Sequence, residues 1–225
     1  MPALEKFVQR GNQIACCCVY GLELFFLPLR QVYFLHSIRD GLIEATASLH
    51  RQVDSLFSMD RITTPCGYGA MLMSHAAVVP GTEAFLLRSR HLVDLPRFEE
   101  RMRTSALEND IRALELAPAS AAPMSFLNSP GAVAGLLYVL EGSRLGATVI
   151  RRRLAKSGAS YPTDFLSHGE NCGFWQSYLN WLQSTQWSPD DLVDMRDSAV
   201  ALFRQYLVTA EACFSPYEPE YQTTS

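Results

Sequence analysis

Two places in this 225-residue sequence carry residue types whose spacing suits chemistry on a flat ligand. The first is the run 136–150, which reads as helix yet contains Gly142 and Gly146. Each interior glycine costs about 1 kcal/mol against alanine. Glycines four apart share one face and strip it of side chains for more than a turn. Either a neighbouring helix packs tightly on that face, or a flat ligand lies against the bare backbone. Glycines also let a helix bend, and a bent helix over a ligand leaves room for a small second ligand such as dioxygen. The second place is His50, with Asp54 four residues on and on the same helical face. A histidine that ligates iron is neutral and gives its other ring N–H to an acceptor that fixes its tautomer. Asp54 suits that task. The alternative is a structural histidine with a polar neighbour one turn away. Of the other four histidines, His36 and His91 lack such a context, His75 has no acid three or four positions away, and His168 falls in a loop.

The elements that must position these residues are helical. Ile38, Leu42, Ala45, Leu49, Val53 and Leu56 recur at steps of three and four, the period of an amphipathic helix. Residues 68–79 read as a second helix, with a break or kink at Pro80-Gly81 and Thr82 capping a further helix over 83–91. A turn at Asp94-Leu95-Pro96 precedes a helix over 97–115, whose apolar face is Leu107, Ile111 and Leu114. Residues 117–130 form a loop, 131–156 a long helix, and 174–183 an aromatic-rich helix. Ser188-Pro189-Asp190-Asp191 starts the last helix, with a hydroxyl cap, proline in the first position and acids in the first turn; it runs to about residue 214. No stretch alternates with period two. The fold class is therefore all-α, a single-domain bundle of about seven helices.

Composition narrows the function. The chain is 48% hydrophobic and 19% charged, with a net charge of −4, so no general basic excess points to nucleic acid. The six cysteines form no CxxC pair; with Cys16, Cys17 and Cys18 adjacent, they read as thiols of a reducing cytoplasm rather than zinc ligands or a disulfide framework. Residues 14–29 are strongly apolar but are interrupted by Glu23 and Pro28 and fall short of the roughly 20 residues a spanning helix needs. Residues 1–36 are accordingly expected to be an extension, residues 37–214 the functional domain and residues 215–225 a polar tail.

The segment Glu44-Ala45-Thr46-Ala47-Ser48-Leu49-His50 resembles the proximal helix of heme oxygenases, and Tyr138-Val139-Leu140-Glu141-Gly142-Ser143-Arg144-Leu145-Gly146 resembles their distal helix. The likeness is nearest to the bacterial heme oxygenases associated with phytochromes and covers about residues 37–214. It implies the heme oxygenase fold and cleavage of heme to biliverdin, carbon monoxide and ferrous iron. His50 matches the axial iron ligand, Asp54 an acidic position near it, and Gly142 and Gly146 the distal glycines; Ser143 stands where many members have Asp. Tyr138, Arg51 and Arg144 are expected to contact heme. Positions where family members hold the propionates are Ile43 and Ala47 here, leaving Arg51, Arg144, Arg151 and Arg152 as candidate cations. Heme would be both substrate and cofactor. Dioxygen and a separate electron donor, a ferredoxin or flavoprotein reductase, are implied, since no GxGxxG fingerprint is present. A bacteriophytochrome is the implied acceptor of product. Two other readings stay open: a heme-binding or storage protein without turnover, and a helical interaction protein whose glycines serve packing alone.

Overall fold

The computed structural model describes residues 29–92, 94–117 and 125–215, with side chains from residue 38 onward. The expectations placed on residues 1–28, including the three adjacent cysteines, and on the tail lie outside the described residues. Among the described residues there are eight α-helices and one 3₁₀ turn: α1 (Leu29–Leu56), α2 (Met59–Ile62), α3 (Pro65–Arg88), the turn Glu99–Arg101, α4 (Thr104–Ala113), α5 (Pro130–Ser157), α6 (Asp164–Ser167), α7 (Phe174–Ser184) and α8 (Pro189–Phe214). No strand occurs among the described residues, so the all-α expectation holds. α8 is the centre of the bundle, flanked by α5, α1 and α3, while α7 lies on α5. α3 and α5 are long and apolar enough to cross a membrane, but more than half of each is buried in the bundle.

Three of the long helices start in the same way. Thr64, Ser129 and Ser188 each accept a backbone N–H through the hydroxyl, from Gly67, Ala132 and Asp191 respectively, and each is followed by proline at the first helical position. The hydroxyl satisfies a donor the helix cannot use, and proline lacks one where none is needed. In α8 the Asp191 carboxylate also accepts the Ser188 N–H, closing a capping box. Gly158, at φ 78°, ends α5 in the left-handed conformation that glycine adopts without steric cost.

Two boundaries differ from the sequence-based expectation. α3 runs unbroken through Pro80 and Gly81. The Thr82 side chain does not cap a new helix; it is buried and donates to the Val78 carbonyl at 2.9 Å, continuing the helix below the proline. The predicted helix over 97–115 is instead a 3₁₀ turn followed by α4. The cause is Glu83, whose buried carboxylate accepts the backbone N–H groups of Arg103 and Thr104 at 2.7 and 3.0 Å. α4 thus takes its N-terminal cap from another helix, and the sequence around residue 103 holds no sign of it.

α5 carries a second pair of glycines that sequence reasoning passed over. A Cβ on Gly131 would fall 2.0 Å from the Asp191 carbonyl oxygen, and one on Gly135 would fall 2.0 Å from that of Met195. The backbones of α5 and α8 therefore touch. Side chains lock the contact: Ser198 donates to the Ala132 carbonyl at 2.8 Å, and Tyr178 to that of Ala134 at 3.0 Å. Gly146 has nothing within 4 Å of a built Cβ. Gly135→Ala is expected to destabilise the unliganded protein by about 1–3 kcal/mol through overpacking. Gly146→Ala is expected to stabilise it by up to about 1 kcal/mol through helix propensity. Urea unfolding of both variants checks this, and equal effects would reject the division of labour between the pairs.

Candidate functional site

A cavity of about 390 Å³ opens between α1, α5 and α8, within the usual range for small-molecule sites. Its walls gather most of the residues singled out above: His50 and Asp54 from α1, and Tyr138, Gly142, Ser143 and Gly146 from α5. Val53, Leu145, Val149, Ile150 and Phe203 make much of the remaining lining apolar.

On the α1 wall, His50 Nδ1 lies 2.8 Å from the Asp54 carboxylate. The geometry is the ordinary i,i+4 helical pairing, and it leaves Nε2 free. The hydrogen bond to Asp54 raises the pKa of His50 above its usual value, against the opposing pull of burial. The Phe203 ring sits 5.5 Å away, centroid to centroid, and limits the rotation of the imidazole.

On the opposite wall, no helix backbone among the described residues fills the bare face of α5. The nearest atoms to a Cβ on Gly142 belong to the Trp175 ring at 3.7 Å, and Gly146 faces open space. The tight-packing alternative describes Gly131 and Gly135 instead. Among the described residues no three His, Cys, Asp or Glu side chains gather as a metal site. An iron held by His50 would therefore need its other ligands from outside the protein, as a tetrapyrrole supplies.

Deeper in, the cavity ends on polar groups that sequence reasoning missed. His75, Arg103 and Tyr206 line it and are buried. Among the described residues His75 Nδ1 and the Tyr206 hydroxyl have no hydrogen-bond partner, and the two rings are 5.4 Å apart. Burial, helped by the Arg103 cation, drives the His75 pKa down to about 3, so the ring is neutral. Arg103 donates to the Ser143 hydroxyl at 2.8 Å and the Leu140 carbonyl at 3.2 Å, with its guanidinium 4.7 Å from the Phe165 centroid. Burial lowers its pKa to about 10. Ser143 in turn donates to the Leu140 carbonyl at 2.7 Å, so its one proton is committed. Unpaired buried polar atoms are uncommon; two facing one cavity mark a place where water or ligand atoms belong.

The cations sort differently from expectation. Arg144 does not line the cavity. It pairs with Glu141 at 3.1 Å and donates to the backbone carbonyls of Arg101 and His168. Glu141 also holds Arg101 at 3.1 Å, and both are 1% exposed. Arg97, Arg101 and Arg144 stand 4.8–5.0 Å from the Phe174 centroid, within cation–π range. This cluster ties the turn before Gly142 to the start of α7. Arg151 pairs with Glu170, and Arg51 and Arg152 are exposed and away from the lining. The cations at the cavity rim are Arg39, half-buried on α1, and Arg153, exposed on α5. A sequence signal for them exists: Arg39 precedes His50 by eleven residues, and Arg153 follows Gly142 by eleven. Eleven residues is close to three helical turns, so each arginine lies on the cavity face of its helix, about 16 Å from its partner.

Two outcomes follow. Glu141→Gln leaves two buried guanidiniums without a countercharge and is expected to cost about 3–5 kcal/mol in urea unfolding; a loss under 1 kcal/mol would reject the cluster as the clamp on α5. Asp54→Asn is expected to lower the NMR titration midpoint of His50, because the carboxylate that raises it is gone while burial still pulls it down. An unmoved midpoint would show that the pair does not form in solution.

No family model matches the sequence. A heme oxygenase of Xanthomonas campestris pv. campestris is 40% identical over 91 residues, which are 40% of this chain and 53% of that protein; the match thus spans about half the length of the relative. The heme oxygenase of Neisseria meningitidis, crystallised with NO and CO bound, superposes with a TM-score of 0.68 at 18% identity, over 79% of this chain and 92% of that one. The fold is that of the heme oxygenases, and the comparisons support the family resemblance read from the two helices.

Proposed function

We propose that this chain, which carries the heme oxygenase fold, binds heme in the cavity between α1 and α5 and cleaves it with dioxygen and externally supplied electrons to biliverdin, carbon monoxide and ferrous iron. The observation that carries this reading is the match of the cavity to the ligand. Heme is a flat apolar disc with iron at its centre and two carboxylates on one edge. The cavity offers the His50 imidazole on its α1 wall, a stripped backbone on the α5 wall, and cations at its rim.

When bound, heme supplies the iron centre at which dioxygen is activated and is itself the molecule that is opened. The protein residues supply the rest. His50 Nε2 would hold the iron, and Asp54, by accepting from Nδ1, holds the ring in the tautomer that leaves Nε2 basic. Gly142 and Gly146 let the ring lie close to the backbone of α5. Arg39 and Arg153 are placed to hold the two propionates, and so to set the rotation of the ring and the edge it offers to oxygen.

Proton supply falls to the inner end of the cavity. Ser143 stands where many family members have Asp, and its proton is already given to Leu140. Its role here is to hold Arg103. His75 is neutral, with one nitrogen unpaired, and the Tyr206 hydroxyl is likewise unpaired. These two can bind and pass protons through intervening water without a buried charge having to form. A carboxylate beside Gly142 is therefore not required. The electron donor, a ferredoxin or flavoprotein reductase, a cytoplasmic setting and delivery of product to a bacteriophytochrome belong to this reading as implications of the family resemblance.

Titration with hemin followed by addition of a reductant tests the proposal. A Soret band should appear at one equivalent and then give way to biliverdin absorption with release of iron. A band that persists unchanged under reductant and dioxygen would leave only heme binding, and no band would reject heme as the ligand. His50→Ala should alter the ferric spectrum. Iron binding through His50 should weaken as pH falls, because protonation would occupy the nitrogen that iron needs; Asp54 raises the pH at which that occurs. Arg39→Ala and Arg153→Ala should each weaken heme affinity by about 1 kcal/mol, roughly fivefold, as expected of partly exposed ion pairs.

A further inference from the structure

All three tryptophans of the sequence lie on one line with two tyrosines. Tyr138 and Trp175 are 6.0 Å apart between ring centroids, Trp175 and Tyr178 5.6 Å, Tyr178 and Trp181 6.0 Å, and Trp181 and Trp187 5.5 Å. At such separations the ring edges touch. Trp175, Tyr178 and Trp181 recur every third residue along α7, which puts them on one stripe of that helix.

The line has an inner and an outer end. Tyr138 and Trp175 line the cavity, and the Trp175 ring is the group nearest the bare face at Gly142. Tyr178 and Trp181 are buried. Trp181 reaches a surface depression bordered by Asp94, Asn180 and Thr185. Trp187 is half-buried, and its indole N–H donates to the Leu182 carbonyl at 2.8 Å.

Indole and phenol are the side chains that give up a single electron most readily among the aromatic residues; the phenyl ring of phenylalanine does not. The sequence has twelve phenylalanines for filling a core, yet none interrupts the series. The protons also matter. A phenol can lose an electron only if its proton leaves too, and the Tyr178 hydroxyl donates to the Ala134 carbonyl, a very weak base. An indole can carry the positive charge with its N–H still in place. Tyr178 is therefore suited to bridging, and the tryptophans to holding the charge.

We propose that Trp175, Trp181 and Trp187, bridged by Tyr178, form an electron-hopping route that carries oxidising equivalents from the cavity out to the protein surface. The inference rests on the heme reading above. The oxidant is hydrogen peroxide reacting at the loaded cavity. Peroxide takes up two electrons and two protons to give two waters. The electrons travel inward one at a time, each leaving an indole radical cation at Trp187 whose N–H stays on the Leu182 carbonyl, and the two protons that peroxide takes up come from solvent. A soluble one-electron reductant of the ascorbate class then restores the residue by returning the electron, its own proton going to solvent. Without such a reductant both oxidising equivalents of one peroxide are spent on Trp187: water adds to the oxidised ring, two protons leave to solvent, and the residue is permanently hydroxylated. The route diverts damage from the cavity wall to an outer residue.

Hemin-loaded protein treated with hydrogen peroxide provides the test, read by freeze-quench electron paramagnetic resonance and by peptide mass spectrometry of oxygenated tryptophan. In the wild type, an indole radical should appear and oxygenation should concentrate at Trp187, with ascorbate suppressing both. Trp181→Phe breaks the line without touching the cavity lining; oxygenation of Trp187 should fall several-fold and damage should move to Trp175 and Tyr138. Trp175→Phe should likewise protect Trp187, which covers the case in which the Trp181 variant fails to fold. Damage confined to Tyr138 and Trp175 in the wild type, or Trp187 oxygenation unchanged in folded variants, would overturn the route while leaving the heme reading intact. Absence of a Soret band on hemin titration would overturn both.

Discussion

The structure depends on backbone contact between α5 and α8 at Gly131 and Gly135. No side chain fits between the helices there, since a single added carbon would stand 2.0 Å from a carbonyl oxygen of α8. The contact brings α5 close enough for Ser198 and Tyr178 to reach its carbonyls. It also fixes how α5 is rotated. About two turns farther on, the same helix presents Gly142 to the Trp175 ring and then Gly146 to open space. α5 is thus stripped twice, once to meet protein and once to leave a cavity, and the first stripping orients the second.

The buried charges at the middle of α5 serve the same end. Glu141 is one residue before Gly142, and its carboxylate is shared by Arg101 and Arg144. Burying so many charges is costly unless they pair and bond fully. Here the guanidiniums also reach the carbonyls of Pro96, Phe174, Arg101 and His168. The result is a polar weld between α5, the segment before α4 and the start of α7. It holds Trp175 against the cavity and leaves Arg103, two residues from Arg101, aimed at Ser143.

Local features of this site were legible in the sequence and long-range ones were not. His50 and Asp54 are one turn apart, and Gly142 and Gly146 likewise, so helical geometry alone brings each pair together. Arg39 and Arg153 are also on their helices' cavity faces, but at three turns' distance, where a search for adjacent charges does not look. Arg144, inside the most recognisable motif, points away from the cavity because Glu141 three residues earlier claims it. His75 carries no local mark: its unpaired nitrogen exists only because the turn after α1, α6 and α8 close around it with Phe57, Phe165 and Tyr206. The start of α4 escaped for a similar reason, its cap being Glu83 on α3. Pro80 misled in the other direction, since the buried Thr82 side chain and the surrounding core hold α3 together through it.

The hydroxyl-proline starts of α3, α5 and α8 have a bearing on how this gene can vary. A helix whose first residue is set by its own cap has its phase set there too. A residue inserted between Ser129 and Gly142 would rotate everything beyond it by 100°, carrying the cavity glycines off their face while Gly131, if upstream, stayed on α8. A residue inserted before Ser129 would leave the phase of α5 untouched. Tolerance to insertion and deletion should therefore change abruptly at Ser129, and again at Ser188 and Thr64, making these three small polar residues the punctuation between the parts of the chain that can change length and the parts that cannot.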